Sequence, residues 1–302
     1  MTENKKLKGR SLHSFIKHPL FSQGFNVCSM SWMRPHFKPI ILGWNSVYGY
    51  GNVVELMTGM FNINECPYKC EYSGDKHKYL NASAIVYFIR TEHNELPKKR
   101  LPNQLYVFNL DEPPHNTWEL YKDAGPDFFN ITMTYRFDSD VYNPYDAFIP
   151  CNGKCNSDEY WTEKEVLDNV MKKTGFVMQV CSNCNVPSKR EHIADELMKL
   201  IKIDFFGTCH NGTPCDYNNC YNKQLERHMF HLAFENSVCK GYVTEKFWSL
   251  KHLSVPIVLT RRLFDSSKVP DNAYIAVDDF NNINELADYL LYLQKNRTAY
   301  LK

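Results

Sequence analysis

Short apolar runs that alternate with helix-like segments are the feature that most limits how this chain can fold. In the second half, residues 176–181, 203–206 and 255–259 are brief apolar runs typical of buried strands. The segments 188–201 and 244–253 between them have the spacing or the starting signals of helices. Strands that alternate with helices pair in parallel, because each helix carries the chain back to the same end of the sheet. The pattern predicts a doubly wound α/β domain.

The first half contains similar apolar runs, at residues 39–44, 84–89 and 104–109, which are predicted strands. Further predicted elements of the second half are a helix at 222–231, a strand at 273–277 and a last helix that opens at Asn282. Glu285, three residues after Asn282, completes a capping-box pattern.

The boundaries that we predict from this pattern divide the chain into three parts. Residues 1–25 form a basic lead-in or stem, residues 26–165 an N-terminal Rossmann-like domain, and residues 166–302 a C-terminal one. We expect the two α/β domains to face each other across a cleft, where a donor and an acceptor would meet.

The charge balance excludes broad electrostatic partners. The 302 residues carry a formal net charge of +1, which does not favour nucleic acid or an anionic membrane surface. Basic residues must therefore act locally. The aromatic share of 14% suits sugar-stacking surfaces, although filling the core is the commoner use of such rings.

The 11 cysteines indicate either disulfides in an oxidising compartment or metal sites. Only Cys181 and Cys184 have the two-residue gap common in zinc sites, and no second pair matches it. Sequons for N-glycosylation favour the secretory interpretation. They begin at Asn81, Asn130, Asn211 and Asn296. We therefore predict disulfides rather than zinc.

The chain shows no targeting signal of its own. Residues 1–10 are polar and basic without an apolar region behind them, and no stretch approaches the roughly 20 apolar residues of a membrane helix. If the protein works in the secretory pathway, we expect its targeting segment to lie outside the printed sequence.

The segment 234–248 carries the clearest chemistry. It is predicted to be a strand end and a loop that lead into a helix capped by Thr244. Unpaired backbone N–H groups at such a helix start, with Lys246 in the first turn, would attract a phosphate. The carboxylate of Glu245 would instead accept hydrogen bonds from ribose hydroxyls. The alternative is an ordinary capped helix with an exposed Glu-Lys pair.

Several long motifs resemble one enzyme family in the right order. The run FENSVCKGYVTEKFW at 234–248, followed by VPIVL at 255–259 and VDDF at 277–280, resembles the donor-binding signature of the α1,3-fucosyltransferases, glycosyltransferase family 10. Residues 181–190 resemble that family's entry to the donor domain, and residues 134–140 its signature at the end of the acceptor domain. The resemblance implies a GT-B fold, in which the second Rossmann-like domain binds most of GDP-fucose.

The resemblance also implies the donor-binding residues. Arg190 and Lys246 would neutralise the diphosphate, Glu245 and Tyr242 would contact the ribose and phosphate region, and Asn236 would lie beside the nucleotide. The two cations would stabilise the negative charge that develops on the leaving phosphate. No metal or other cofactor is obligatory on this view, although a divalent metal would be compatible as a stimulant.

Inversion at the anomeric carbon needs a base that removes the proton of the acceptor hydroxyl. The resemblance points to Glu112, which keeps the family's spacing to Asn116 and Thr117. Asp111 is the adjacent candidate, for which we favour a turn-capping role. His115 ranks third, because a histidine in a turn is more often a solvated surface residue.

Two acidic pairs and one departure from the family also need an interpretation. Asp138 and Asp140 look like a metal-binding Asp-x-Asp pattern, but we predict a structural role with Arg136 as partner. Asp278-Asp279 either caps the approach to the last helix or faces the donor. The family usually continues after residue 259 with Gly-Pro, whereas this chain has Thr260-Arg261-Arg262, which we expect to alter loop flexibility and add charge.

The predicted function is inverting transfer of fucose from GDP-fucose to the 3-hydroxyl of a GlcNAc-type residue on a glycoprotein or glycolipid. The family resemblance implies the Golgi lumen and an N-terminal membrane anchor that the printed sequence does not contain. One alternative is an inactive protein that binds glycan and nucleotide; another is a zinc-stabilised intracellular domain. The acceptor glycan, the disulfide pairing and the oligomeric state stay open.

Overall fold

The structure is a computed structural model that describes residues 38–60, 69–90, 95–117, 124–148, 161–216 and 220–302. The described residues form two compact units, which part between Tyr145 and Asp146. The predicted lead-in at 1–25 lies outside the described residues. None of the helices in the described ranges combines the length and the hydropathy of a membrane span.

The first unit is built on a six-stranded sheet in which every neighbouring pair of strands is parallel. Its strands are β1 (Ile40–Gly43), β2 (Glu71–Ser73), β3 (Ala84–Phe88), β4 (Leu105–Leu110), β5 (Ile131–Thr134) and β6 (Val141–Tyr142). The helix α1 (Val53–Met60) follows β1. The strand order is β2-β1-β3-β4-β5-β6.

Both faces of this sheet are buried, which explains why its strands read as continuous apolar runs. Leu42 and Ile85 belong to the core on one face. Ile41 and Val86, their neighbours along the chain, belong to the core on the other face. Asn45 fastens the loop after β1 to β3, because its side chain donates to the Phe88 carbonyl and accepts from the Phe88 N–H, both at 2.9 Å.

The second unit contains a five-stranded sheet, again parallel throughout. Its strands are β7 (Gly175–Val180), β8 (Ile203–Phe206), β9 (His228–Leu232), β10 (Val255–Val258) and β11 (Ile275–Ala276), in the order β11-β10-β9-β7-β8. Its helices are α2 (Glu163–Met171), α3 (Arg190–Leu197), α4 (Asn222–Arg227), α5 (Glu245–Trp248), α6 (Ile283–Lys295) and α7 (Arg297–Tyr300). Leu286, Leu290 and Leu293 of α6 enter the core, as their predicted stripe requires.

The two sheets share one doubly wound plan. Apart from the extra edge strand β6, each places its first strand between its second and its third, so that the chain reverses direction across the sheet at that point. In such sheets, ligands bind beyond the carboxyl ends of the strands at the reversal point. These points lie after β1 and β3 in the first unit and after β7 and β9 in the second. The predicted α/β class with two Rossmann-like units is confirmed.

One predicted helix is wrong in its second half. Residues 222–231 were predicted to be helical, but α4 ends at Arg227 and β9 begins at His228. The cause is tertiary: the buried His228 ring contacts the Asp204 carboxylate at 2.9 Å and the Gln224 carbonyl at 2.7 Å. Gly175 lies against this ring, where a Cβ atom would come within 2.3 Å of it.

Two disulfides close loops in the second unit, which confirms the predicted disulfide bonding. They join Cys184 to Cys209 and Cys215 to Cys220. Cys181, the partner of Cys184 in the zinc-like spacing, is a buried thiol outside both bridges. Cys184 is therefore bonded to a cysteine 25 residues away rather than to Cys181.

A buried lysine ties α2 to the rest of the second unit. The Lys173 ammonium donates to four carbonyl oxygens, those of Leu225 and Glu226 at 2.9 Å, His228 at 3.0 Å and His252 at 3.2 Å. These carbonyls come from the end of α4, the start of β9 and the turn after α5. A single charged group thus satisfies the backbone where three elements meet.

We expect Lys173→Met to lower the free energy of unfolding by about 1–3 kcal/mol, because it leaves four carbonyl oxygens without this donor. Urea unfolding of the purified chain measures this. Lys172→Met is the matched control, because the Lys172 side chain is exposed, and it should be nearly neutral. Equal stability of the two variants would contradict the structural role of Lys173.

Candidate functional site

The loops after β7 and β9 meet at the reversal point of the second sheet. The Arg190 guanidinium donates to the Phe234 carbonyl at 2.6 Å. The Ser188 hydroxyl donates to the Glu235 carbonyl at 2.7 Å, and the Ser188 N–H donates to the Asn236 carbonyl at 3.0 Å. These bonds join the segment before α3 to the end of β9. They bring the predicted donor residues Arg190 and Asn236 onto one edge.

Two polar atoms at this edge are buried without a hydrogen-bond partner in the described part of the chain: Arg190 Nε, a donor, and Asn236 Oδ1, an acceptor. The rest of the Arg190 side chain, 4% exposed, also donates to the Asn183 carbonyl at 2.8 Å. Buried polar atoms of folded proteins are nearly always paired. A polar ligand at this edge would supply the hydrogen-bond partners that these two atoms need.

Lys246 lies among oxygen atoms of three side chains. Its ammonium is 2.9 Å from Glu245 Oε1, 2.9 Å from Thr244 Oγ1 and 3.4 Å from Glu235 Oε2. Burial opposes its charge, but the carboxylates of Glu235 and Glu245 outweigh this and raise the pKa of Lys246. Burial likewise opposes the charge of Glu245, yet Lys246 lowers the pKa of Glu245. The site thus holds a permanently charged ammonium.

Glu235 is a buried member of this site that the sequence interpretation missed. It is 2% exposed, and it accepts hydrogen bonds from the Thr244 N–H at 2.7 Å and from the Thr244 hydroxyl at 2.9 Å. Burial is the largest influence on its carboxyl group and raises the pKa of Glu235. Its place at the end of an apolar strand, directly before the predicted residue Asn236, was the available signal.

Three N–H groups at the start of α5, those of Lys246, Phe247 and Trp248, have partners and so are not unpaired as predicted. Thr244 does cap the helix, as predicted, but it also occupies those groups. The Lys246 N–H lies 3.5 Å from the Thr244 hydroxyl, while the N–H groups of Phe247 and Trp248 donate to the Thr244 carbonyl at 3.1 and 3.3 Å. An anion at this edge would therefore meet the Lys246 ammonium rather than a free helix terminus.

Tyr242 lies deeper than the other predicted donor residues. It is 2% exposed. It follows Gly241, which has a φ of 80° and whose N–H donates to the Leu263 carbonyl at 2.9 Å. A left-handed backbone of this kind favours glycine. The tight turn aims the Tyr242 side chain into the protein interior beneath the loop.

Glu112 lies in the first unit, immediately after β4. Its Oε1 forms an ion pair with Arg90 at 3.0 Å, and its Oε2 accepts a hydrogen bond from the Asn116 amide at 2.8 Å. The side chain is 17% exposed. Arg90 follows β3, so the pair joins two neighbouring strand ends. The sequence favoured Glu112 because of its spacing to Asn116, and in the structure Asn116 is a hydrogen-bond partner of Glu112.

Asp111, beside Glu112, is held in a different environment. Its Oδ1 atom is buried and has no hydrogen-bond partner among the described residues. Burial raises the pKa of Asp111 to about 6, and the neighbouring charge of Glu112 adds to this. The following turn is capped by Pro113 without a side-chain bond, so the predicted capping role for Asp111 is wrong. His115 is exposed, as predicted.

The acidic pairs that resemble metal sites are bound by protein groups. Arg136 forms two bonds to the Asp138 carboxylate, at 2.8 and 2.6 Å, and Asp140 accepts from the Thr132 N–H and hydroxyl at 2.8 and 2.7 Å. The predicted structural role of Asp138 with Arg136 is confirmed. Within the described ranges, no group of three or more His, Cys, Asp or Glu side chains is arranged to hold a metal ion.

Comparison with known proteins matches both units to one family. Residues 170–302 match the family model of the C-terminal part of glycosyltransferase family 10 (fucosyltransferase), and residues 36–146 match that of the fucosyltransferase N-terminal part. A 4-galactosyl-N-acetylglucosaminide 3-α-L-fucosyltransferase of Pongo pygmaeus is 32% identical over 284 residues, which cover 88% of this chain and 72% of that protein. The chain therefore belongs to glycosyltransferase family 10, the fucosyltransferases.

Other relatives are longer than this chain. An α-(1,3)-fucosyltransferase of Caenorhabditis elegans is 29% identical over 272 residues, and the match covers 89% of this chain but 58% of that protein. A crystal structure of an α1,3-fucosyltransferase is similar in fold, with a TM-score of 0.57 and 21% identity over 94% of this chain and 85% of that chain. A crystal structure of an α1,3-fucosyltransferase with GDP-fucose gives a TM-score of 0.54 at 19% identity, covering 95% of this chain and 86% of that chain.

We expect Asp111→Asn to stabilise the chain at pH 7.5. A carboxyl group whose pKa rises from 3.8 to about 6 on folding favours the folded state below about pH 4, and this contribution is lost as the pH rises through 6. The substitution should add about 1–3 kcal/mol at pH 7.5 and much less at pH 4.5. Urea unfolding at both pH values measures the difference. Asp127→Asn, which removes an exposed carboxylate of the same unit, is the control, and a loss of stability in Asp111→Asn at pH 7.5 would contradict the assignment.

Proposed function

We propose that this protein is an inverting fucosyltransferase that transfers fucose from GDP-fucose to the 3-hydroxyl of a GlcNAc-type residue on a glycoprotein or glycolipid. One observation carries the proposal: at the reversal point of the second sheet, the joined loops after β7 and β9 bring together Arg190 Nε and Asn236 Oδ1, both without a partner among the described residues, and lead into the helix that carries the charged Lys246. This is where a doubly wound sheet binds a nucleotide. Family membership supplies the donor class.

In the proposed donor complex, the diphosphate binds the Lys246 ammonium and the free Nε of Arg190. As the bond between the anomeric carbon and the β-phosphate oxygen breaks, negative charge builds on that phosphate. Cations that are already in place stabilise this charge without reorganising at that moment. Glu245, now free of Lys246, accepts hydrogen bonds from the ribose hydroxyls, and Asn236 binds a polar group of the nucleotide. Tyr242 supports the loop from below.

Glu112 is the proposed base. It accepts the proton of the acceptor hydroxyl while that oxygen bonds to the anomeric carbon and GDP departs, which inverts the configuration in a single displacement. Arg90 and Asn116 hold the two Glu112 oxygens, and this fixes the direction in which the carboxylate points. Asp111, with its pKa near 6, is the second candidate for the base.

The donor substrate is the only small molecule that this reaction requires, and a divalent metal would act at most as a stimulant. The disulfides of the second unit fit an oxidising compartment. Together with the family, they support a Golgi lumenal location. We keep residues 26–165 as the acceptor domain and 166–302 as the donor domain.

We expect Glu112→Gln to reduce fucosyl transfer by about 100-fold or more, because general-base catalysis contributes about 10²–10⁴-fold. Its affinity for GDP should stay within about twofold of wild type, since Glu112 contacts no donor group in the proposal. Transfer to a panel of N-glycan and lactosamine acceptors, with calorimetric titration of GDP, measures both. Full activity of Glu112→Gln with loss in Asp111→Asn would move the base to Asp111.

We expect Lys246→Ala to weaken GDP binding at least about tenfold, since truncating one member of a buried charge pair costs about 2–5 kcal/mol. The same titration measures it, and Lys240→Ala is the control, because Lys240 is an exposed lysine of the same loop. GDP binding without transfer by the wild type to any acceptor would favour the alternative of an inactive binding protein. Unchanged affinity in Lys246→Ala would contradict the proposed donor site.

A further inference from the structure

We propose that Glu235 is a positioning residue of the donor site, a fixed negative charge that keeps the Lys246 ammonium protonated and aimed at the diphosphate. This inference rests on the proposed function and goes beyond it, because Glu235 itself does not contact the donor. Its carboxylate lies 3.4 Å from Lys246 Nζ and bonds the Thr244 N–H and hydroxyl.

Burial raises the pKa of Glu235, whereas the hydrogen-bond donors around its two oxygens favour the ionised form. Oε1 faces the Thr244 N–H and hydroxyl, and Oε2 faces the Thr244 hydroxyl and the Lys246 ammonium. Both oxygens thus meet donors, which suits a carboxylate, whereas a protonated acid would place a further donor among them. A charge at a position that is 2% exposed persists only when it is paired and hydrogen-bonded in this way.

The two carboxylates beside Lys246 differ in how freely they can leave it. Glu235 is buried and bonded to Thr244, so it cannot turn away without breaking its bonds to the residue that caps α5. The Glu245 side chain is 29% exposed, and it contacts Lys246 at 2.9 Å. An arriving diphosphate therefore replaces Glu245 as the partner of Lys246, while Glu235 remains. Without Glu235, Glu245 would still pair with Lys246 in the protein without donor. The effect on the Lys246 charge would be greatest in the donor complex, where Glu245 has moved away.

Several charged and titratable groups face Lys246 from the elements packed around it. They are Glu235 at the end of β9, Glu245 on α5, Arg190 on α3 and the buried Tyr221 before α4. The His231 ring on β9 contacts the Lys246 carbonyl at 2.9 Å, and burial lowers the pKa of His231 to about 4, so this ring stays neutral at neutral pH. Of these groups, Glu235 is the immobile anion.

The test is the pH dependence of GDP affinity in Glu235→Gln. In the wild type, Lys246 stays charged, so the affinity should change little between about pH 7 and pH 9.5. In Glu235→Gln, one carboxylate fewer offsets the cost of burying the charge of Lys246, so the pKa of Lys246 falls. Affinity should then drop by up to about tenfold for each pH unit above that pKa, because only the charged form binds the phosphate. Calorimetric titration with GDP at several pH values measures this.

Two further variants separate positioning from folding. Glu235→Asp keeps the charge, and its GDP affinity should regain the flat pH profile even if its melting temperature falls. Asp204→Asn removes the carboxylate partner of the buried His228 in the same sheet, and it should lower the melting temperature without adding a pH dependence. The proposal is overturned if Glu235→Gln follows the wild-type profile, or if Asp204→Asn acquires the same alkaline loss.

The same titration distinguishes this inference from the proposed function. A wild type that binds no GDP at any pH contradicts the donor site itself and, with it, the role of Glu235. A wild type that binds GDP, while Glu235→Gln differs from it only in melting temperature, contradicts the role of Glu235 alone.

Discussion

The parallel pairing of β7 with both β8 and β9 is the constraint on which the second unit depends. Because the strands are parallel, every loop that leaves a carboxyl end emerges at the same edge. Because β7 lies between β8 and β9, the chain leaves β7 in one direction and β9 in the other, which opens a space between the two loops. Arg190 belongs to one loop and Lys246 to the other, and Ser188 and Arg190 fasten the two together. The site is therefore a consequence of strand order before it is a consequence of any single side chain.

The electrostatics of this edge depend on a balance between the cost of burying a charge and the gain from pairing it. A buried ammonium costs several kcal/mol unless it is paired, and here Glu235 and Glu245 pair with Lys246 on two sides. Full pairing would make a poor anion site if both carboxylates were equally fixed. The asymmetry between a buried anion and a partly exposed one resolves this conflict: one partner preserves the charge of Lys246, and the other can yield to a ligand. The first unit shows a different arrangement, because Asp111 Oδ1 is buried without a partner among the described residues while Glu112 beside it is paired with Arg90.

Much of the fold could be predicted because its strands are buried on both faces and its last helix has a clear cap. Asn282 accepts from the Glu285 N–H at 3.1 Å, as the capping pattern indicated. β9 could not be predicted from its sequence, since two histidines interrupt its apolar character and only tertiary bonds such as that of His228 explain them. Family resemblance pointed to the candidate donor residues, and the structure joins the loops that carry Arg190 and Asn236. The inward turn of Glu235 could not be predicted, because its place after an apolar strand does not show that its side chain meets Thr244.

The departure from the family at residues 260–262 shows how a local change is absorbed by its surroundings. The sequence predicts altered loop flexibility and added charge. In the structure, Arg261 binds the Asp279 carboxylate through two nitrogens and lies over the Tyr274 ring at 4.8 Å, while Thr260 donates to Asp278 at 2.6 Å. Asp278 and Asp279 are thus bound by this turn, and the Asp279 carboxylate pairs with the charge of Arg261. Tyr274 stacks on Phe264 at 4.2 Å, and Phe264 contacts Phe247 of α5 at 4.9 Å. Since Phe247 follows Lys246 in the chain, the clamped turn packs through Phe264 against the helix that carries the Lys246 ammonium.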